Sequence, residues 1–261
     1  MKSFIRFSTT LGLIGSTFLG ALGGLDLKAL ALPQEQILQK LKPIPVFTIT
    51  DAQGAPLVVS DEKNANAKVA GVFIHQQDAQ TLVSKLQKEK PDIGSKVKVI
   101  PVSLGEVYRI SQESQKDSAG LNFQYVPKQS EVDVAKTLPG QNGQKYQGGV
   151  PLFMAKGGKQ EGYLTVEKDS QQLIPLFFEK SQLEEMVANF KKQKPDMANT
   201  IKVEVVPLEV VIANLQKSSD ETLNKILLVP PKDSIEFVRQ SLEKNPAAPA
   251  QNTPAAPSKD K

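Results

Sequence analysis

Residues 72–104, VFIHQQDAQTLVSKLQKEKPDIGSKVKVIPVSL, have a counterpart at 176–208, LFFEKSQLEEMVANFKKQKPDMANTIKVEVVPL. Phe73 aligns with Phe177, Val83 with Val187, Pro91-Asp92 with Pro195-Asp196, Lys98-Val99 with Lys202-Val203, and Leu104 with Leu208. The separation holds without a gap through Val107 and Val211, and upstream PVF at 45–47 faces PLF at 151–153. Two units of this size point to a duplicated body, not to a solenoid, whose continuous core needs three or more repeats. Chance similarity of two amphipathic helices is the competing explanation, and it leaves the matches in the flanking apolar runs unaccounted for.

Periodicity gives each unit its elements. In the first, IPVFTI, PLVV and VAGVFI are short β-branched and aromatic runs separated by Asp51, Gly54 and the polar stretch SDEKNANAK, and these are expected to be strands and turns. Ala79, Leu82, Val83 and Leu86 recur at helical spacing, and Pro91 ends that helix. KVKVIPV follows as another strand. The second unit repeats the stripe at Leu183, Met186, Val187 and Phe190, with Ser181 and Glu184 spaced as a capping box. Each half therefore reads β-β-β-α-β, followed by a short helix at LGEVYRI or LEVVIANL. The fold class expected is α+β, in a two-lobed body with pseudo-twofold symmetry.

Sequence outside the repeat sets the boundaries. Lys2 and Arg6 precede an apolar run from about Leu11 to Leu22, too short and glycine-interrupted to span a bilayer comfortably, and Ala29-Leu30-Ala31 offers a cleavage site. Residues 1–31 are expected to be a secretory signal peptide, with an uncleaved membrane anchor as the alternative. Residues 32–110 then form the first half with a leading helix at QEQILQKL, 111–147 a connecting segment with a short helix, and 148–244 the second half. Residues 245–261, NPAAPAQNTPAAPSKDK, have almost nothing to bury and read as a disordered Pro/Ala-rich tail.

Composition excludes several chemistries. The net charge is +4, and Lys2, Arg6 and Lys28 against Asp26 supply half of it, so the remainder is too balanced for a nucleic-acid binder. There is no cysteine and only one histidine, His75. Neither a zinc-thiolate site nor a conventional Ser-His pair has its parts, and His75 reads as a solvated turn residue. Gly157-Gly158-Lys159 lacks the first glycine and the Ser or Thr of a phosphate-binding loop, and reads as a hairpin turn. Asp61-Glu62, Glu184-Glu185 and Asp220-Glu221 are neighbours in sequence, so their side chains diverge and are expected on solvated faces. No catalytic residue, no metal ligand set and no cofactor is expected, with a carboxylate pair assembled by the fold as the remaining enzymatic alternative.

What stands out instead is a set of large apolar groups at matched points: Phe47 with Phe153, Phe73 with Phe177, and Ile74 with Phe178. At strand alternation, adjacent members of a pair cannot both face one core. Either helices cover both faces of the sheet, or one member of each pair lines an exposed apolar groove for a client. All six are candidate client-binding residues on the second reading.

PVFTITDAQGAPL, VFIHQQDAQTLVSKL, VKVIPVSLGEVY, GGVPLF, IPLFFEKSQLEEM and LLVPP, in this order between about Lys42 and Phe237, resemble the 22-kilodalton component of the translocon at the inner envelope of chloroplasts, in its cyanobacterial form. The second half departs from the family pattern at Gln182-Leu183, where the first has Asp78-Ala79. The resemblance implies a soluble, non-enzymatic, chaperone-like transport factor between two membranes. Its implied partners are unfolded or outer-membrane client proteins and an outer-membrane barrel-assembly protein, with no nucleic acid. The implied compartment is the periplasm, with the thylakoid lumen as alternative, and a structural adaptor between envelope translocon components is the other functional reading. Two related grooves would hold one extended client at two points and so raise avidity.

Overall fold

The computed structural model of the chain describes residues 8–14, 32–61, 64–114, 121–140, 143–218 and 220–244. The fold is mixed α and β, as the periodicity requires, and it separates into two compact units. One comprises residues 35–129 and 230–261, the other residues 1–34 and 130–229. The second stretch of the first unit contains only helix α9 (Lys232–Lys244) among the described residues. Conversely, α5 (Gln129–Ala135), in the segment read as a connector, belongs almost wholly with the second half. Each half is thus completed by a helix that lies outside its own repeat.

The first-half sheet is built from β2 (Pro45–Thr50), β3 (Val58–Asp61), β4 (Asn64–Phe73), β5 (Lys98–Ser103) and β6 (Leu121–Val126). Its order is β3-β4-β2-β5, with β6 parallel to β4 and the other pairs antiparallel. Phe47 on β2 stands opposite Phe73 on β4. Phe47 and Ile49 alternate with Val46, Thr48 and Thr50 along β2, and all five are buried, so both faces of the sheet are covered. On the Phe47 face, Ala79 and Val83 of α2 (Gln76–Glu89) join Phe47, Ile49 and Phe73 in one cluster. Phe237 of α9 closes it, its ring 5.5 Å from that of Phe47 at an interplanar angle of 77°. Edge-to-face contact at this distance adds to the area buried. The short α3 (Pro91–Gly94) joins α2 to β5, and helix α4 (Leu104–Ser114) follows β5 and buries Leu104, Val107 and Tyr108. A Cβ at Gly105 would sit 3.0 Å from Lys42 N and 3.1 Å from Leu38 O, so the missing side chain lets α1 (Gln34–Leu41) approach α4 backbone to backbone.

The second-half sheet repeats this wiring with β7 (Pro151–Gly157), β8 (Gly162–Lys168), β9 (Gln171–Phe177), β10 (Lys202–Pro207) and β11 (Ile226–Val229). Phe153 on β7 stands opposite Phe177 on β9, β10 runs antiparallel to β7, and β11 runs parallel to β9. Phe153, Phe177, Leu183, Val187 and Phe190 cluster on one face beneath α6 (Lys180–Gln193), with Ala135 of α5 among them. Helices α7 (Leu208–Lys217) and α8 (Glu221–Asn224) follow β10. In both halves the helix after the last repeat strand is tied to the start of the first: Leu104 N donates to Ile44 O and Leu208 N to Val150 O, each at 2.8 Å.

Several expectations are corrected. SDEKNANAK is mostly ladder, not turn, because β4 begins at Asn64 and pairs back with Asp61. Ser181 and Glu184 form no capping box: the N-cap of α6 is Glu179, without a side-chain cap bond, and Lys180 N is met instead by Glu131 Oε2 of α5 at 3.1 Å. His75 is buried, not solvated, with Nδ1 3.2 Å from Asp233 Oδ2. Ser234 Oγ donates to Ile74 O at 3.1 Å beside it, so the start of α9 is fastened to the end of β4. The stripe of α2 is narrower than its spacing, since Leu82 is exposed. The β7–β8 connection is the hairpin turn expected, with Gly158 and Glu161 both at positive φ. Of the segment read as a leader, residues 8–14 form β1 (Ser8–Ile14), which pairs antiparallel with β8. The rest of 1–31 and the tail 245–261 lie outside the described residues.

Burial sets the expected cost of truncation. Phe47→Ala and Phe153→Ala should each destabilise the protein by about 3–5 kcal/mol, whereas Val59→Thr, at a 65% exposed position, should stay within about 0.5 kcal/mol. Denaturant midpoints measure both, and a Phe47→Ala loss below about 1 kcal/mol would contradict the packing described.

Candidate functional site

The six apolar candidates are core residues. Phe47 and Phe153 are fully buried, and Phe73, Ile74, Phe177 and Phe178 are at most 6% exposed. Packing on both sides of the strands removes the need for one member of a pair to face outward. Ile74 and Phe178 lie just past their strands, where Ile74 N donates to Val126 O and Phe178 N to Val229 O, extending the parallel pairing. Of the adjacent carboxylates, Glu184 and Glu185 are exposed, Asp220 caps α8 by accepting from Thr222 N at 2.8 Å, and Glu62 lies outside the described residues.

Open space lies on the other face of the second-half sheet. Alternation sends Phe177 towards α6 and leaves Ile174 and Leu176 of β9 facing α7 and α8, with Met154 of β7 and Val206 of β10 beside them. A pocket of about 280 Å³ remains there, closed on the helical side by residues including Val211 and Leu223. Asn214, Ser218, Asp220 and Thr222 add polar groups to its lining. An apolar floor with a few polar groups suits the burial of aliphatic or aromatic side chains whose backbone stays hydrated. Apart from Asp220, none of these residues stood out in the sequence, because they come from five elements and the loop between α7 and α8, and the apolar ones each read locally as strand or helix core.

Two charged arrangements flank this half. Lys156 Nζ lies 3.0 Å from Glu204 Oε2 and 4.8 Å from the centre of the Tyr163 ring, which also lines the pocket. Burial acts to lower the Lys156 pKa, but the hydrogen bond to Glu204 and the charges of Tyr163 and Glu204 outweigh it and raise the pKa. At the entrance to β7, Val150 N donates to both Glu209 oxygens, at 3.2 and 3.1 Å. Gly149 has φ +90°, and a Cβ there would collide with that carboxylate. The Tyr146 hydroxyl donates to Gly149 O, and burial, with the nearby Glu209, pushes its pKa up to about 12. Glu209 stands where the first half has Gly105, so one half admits a helix and the other clamps a loop.

Burial raises the Glu209 pKa, against the lowering effect of its own backbone N–H and that of Val150. The folded state therefore holds this proton more tightly than the unfolded chain. The associated stability is complete below the ordinary carboxylate range and is lost as pH rises through the raised folded value. Glu209→Gln should keep an acceptor for Val150 N while flattening the stability profile as pH rises above the ordinary carboxylate range. Denaturant midpoints across that rise check this, and a profile as steep as that of the parent would refute it.

The likenesses to other proteins agree with this architecture. Residues 10–241 match the Tic22-like family. The protein TIC 22, chloroplastic, of Pisum sativum is 22% identical over 204 residues, covering 78% of this chain and 75% of that one. Its Arabidopsis thaliana namesake is 21% identical over 200 residues, covering 76% and 69%. Anabaena Tic22, a protein of protein transport, superposes with a TM-score of 0.69 at 27% identity, over 80% of this chain and 97% of that one. Tic22 from Plasmodium falciparum shares the fold, with a TM-score of 0.63 at 20% identity over 80% and 98%. With a match that runs through both halves and nearly all the described residues, this chain belongs to the Tic22-like family.

Proposed function

We propose that this chain is a chaperone-like protein-transport factor that holds apolar segments of unfolded client proteins and assists their passage to, or assembly in, an outer membrane. The pocket between the second-half sheet and α7 and α8 carries the reading, since it offers aliphatic contact surface with polar groups beside it. Affinity for many clients needs loose apolar contact, not a shaped catalytic centre, and the pocket has that character. Family membership supports a role in protein transport, the role of the Anabaena relative. The periplasm is the proposed compartment, with the thylakoid lumen as the alternative, and a barrel-assembly protein of the outer membrane is the proposed receiver. Among the described residues no helix is long and apolar enough to cross a membrane.

Fluorescence anisotropy of the full chain with labelled, carboxymethylated α-lactalbumin, a permanently unfolded polypeptide, tests client binding. Leu223→Asp changes a half-buried pocket residue and should weaken that binding roughly fivefold or more, with the melting temperature unchanged. Failure of the parent chain to bind, or equal binding by the variant, would sink the proposal. Fractionation of cells should also place the protein among soluble contents outside the cytoplasm with an N-terminus near Leu32, and recovery of full-length chain from the cytosol would refute the compartment.

A further inference from the structure

We propose that the outer edge of β8 is an acceptor site for extended, uncharged polypeptide strands, and that Ser8–Ile14 of this chain fill it until they are removed or displaced. The proposal deepens the client-binding reading above, on which it rests for its occupant in trans.

The pairing defines two sides of β8. On the inner side Tyr163 pairs with Lys156 of β7 and Glu167 with Gln172 of β9. On the outer side the same two residues pair with Ile14 and Ser8 of β1. Gly12, Leu13 and Ile14 run in register against Thr165, Leu164 and Tyr163, with an irregularity between Ser8 and Gly12. Without β1 the outer row of backbone N–H and C=O groups on β8 has no strand beside it among the described residues. Edges of this kind are usually protected by charge, proline or a bulge. Tyr163 to Val166, the stretch that faces Ile14 to Gly12, contain neither charge nor proline, and charge enters β8 only at Glu167 and Lys168.

The occupant specifies the chemistry. STTLGLI has no charge and no proline, and it mixes threonines with aliphatic residues. Main-chain bonds supply affinity to such an edge whatever the sequence, and alternate side chains supply preference. A client stretch of the same character, extended and uncharged, fits the same register. The matching edge in the first half is shorter, since β3 spans four residues where β8 spans seven.

The chain has no cysteine, so a designed pair reports on the pairing without competition. Ser8 and Glu167 are direct partners, and Ser8→Cys with Glu167→Cys places two thiols at cross-strand distance. Oxidation of the full-length double variant should give an intramolecular disulfide and lock β1 onto the edge. The probe is a fluorescein-labelled peptide of residues 8–14 with flanking lysines. The reduced form should bind it at least tenfold more tightly than the oxidised form, with slowed amide exchange at 163–167 when it is bound. The same peptide with Leu11→Asp and Leu13→Asp should bind at least tenfold more weakly. No disulfide, or equal peptide binding by the two forms, would overturn the edge site. Binding of carboxymethylated α-lactalbumin by the reduced form is read in parallel. Its absence would overturn the client reading while peptide capture upheld the site, so the two failures are separable.

Discussion

Phe47 opposite Phe73, and Phe153 opposite Phe177, place two large rings side by side at the centre of each sheet. The strands that carry them are apolar on the reverse face as well, so neither sheet can leave a side to water. Everything around the sheets answers that requirement. Helices α2 and α6 cover one face by way of Ala79 and Val83 or Leu183, Val187 and Phe190, while α4 and α7 bury Leu104, Val107 and Tyr108 or Leu208, Val211, Ile212 and Leu215. In the second half α7 and α8 leave a pocket against Ile174 and Leu176.

Local pattern carried most of the element order. The apolar runs and the proline at 91 located β2, β4, α2 and β5, and the repeat supplied the same order for β7, β9, α6 and β10, because periods of two and 3.6 are written directly in the spacing of apolar residues. The site was far less legible. Phe73 and Ile74 could be read as core or as groove, since alternation states that two faces are apolar without stating what lies against each. Phe237 decides the matter for the first half, and nothing near it in sequence marks it as the partner of Phe47. His75 escaped for the same reason: its partner Asp233 is 158 residues away. The capping box at Ser181 and Glu184 was a sound local signal overridden by Glu131, which reaches Lys180 N from a different helix.

The halves also show how matched positions diverge once the framework is fixed. Gly105 and Glu209 follow Leu104 and Leu208, whose amides make the same bond to Ile44 and Val150. Gly105 has no side chain to keep the backbone of α1 away, and Glu209 carries a carboxylate that accepts from Val150 N. The shared bond is independent of side chain, which leaves the next residue able to serve whichever neighbour the half has acquired.

The exchange of helices between repeats has a consequence for the order in which the protein can be made. β2 to β6 are finished by residue 126, but the ring that seals Phe47 belongs to residue 237. During synthesis the first sheet emerges with its Phe47 face covered by α2 alone and waits for more than a hundred further residues. The second half reverses the situation, since α5 precedes its sheet in the chain and is ready to receive β7 as it appears. The part made first is therefore the part finished last, and a chain cut short before α9 would keep an adhesive surface that the complete protein conceals.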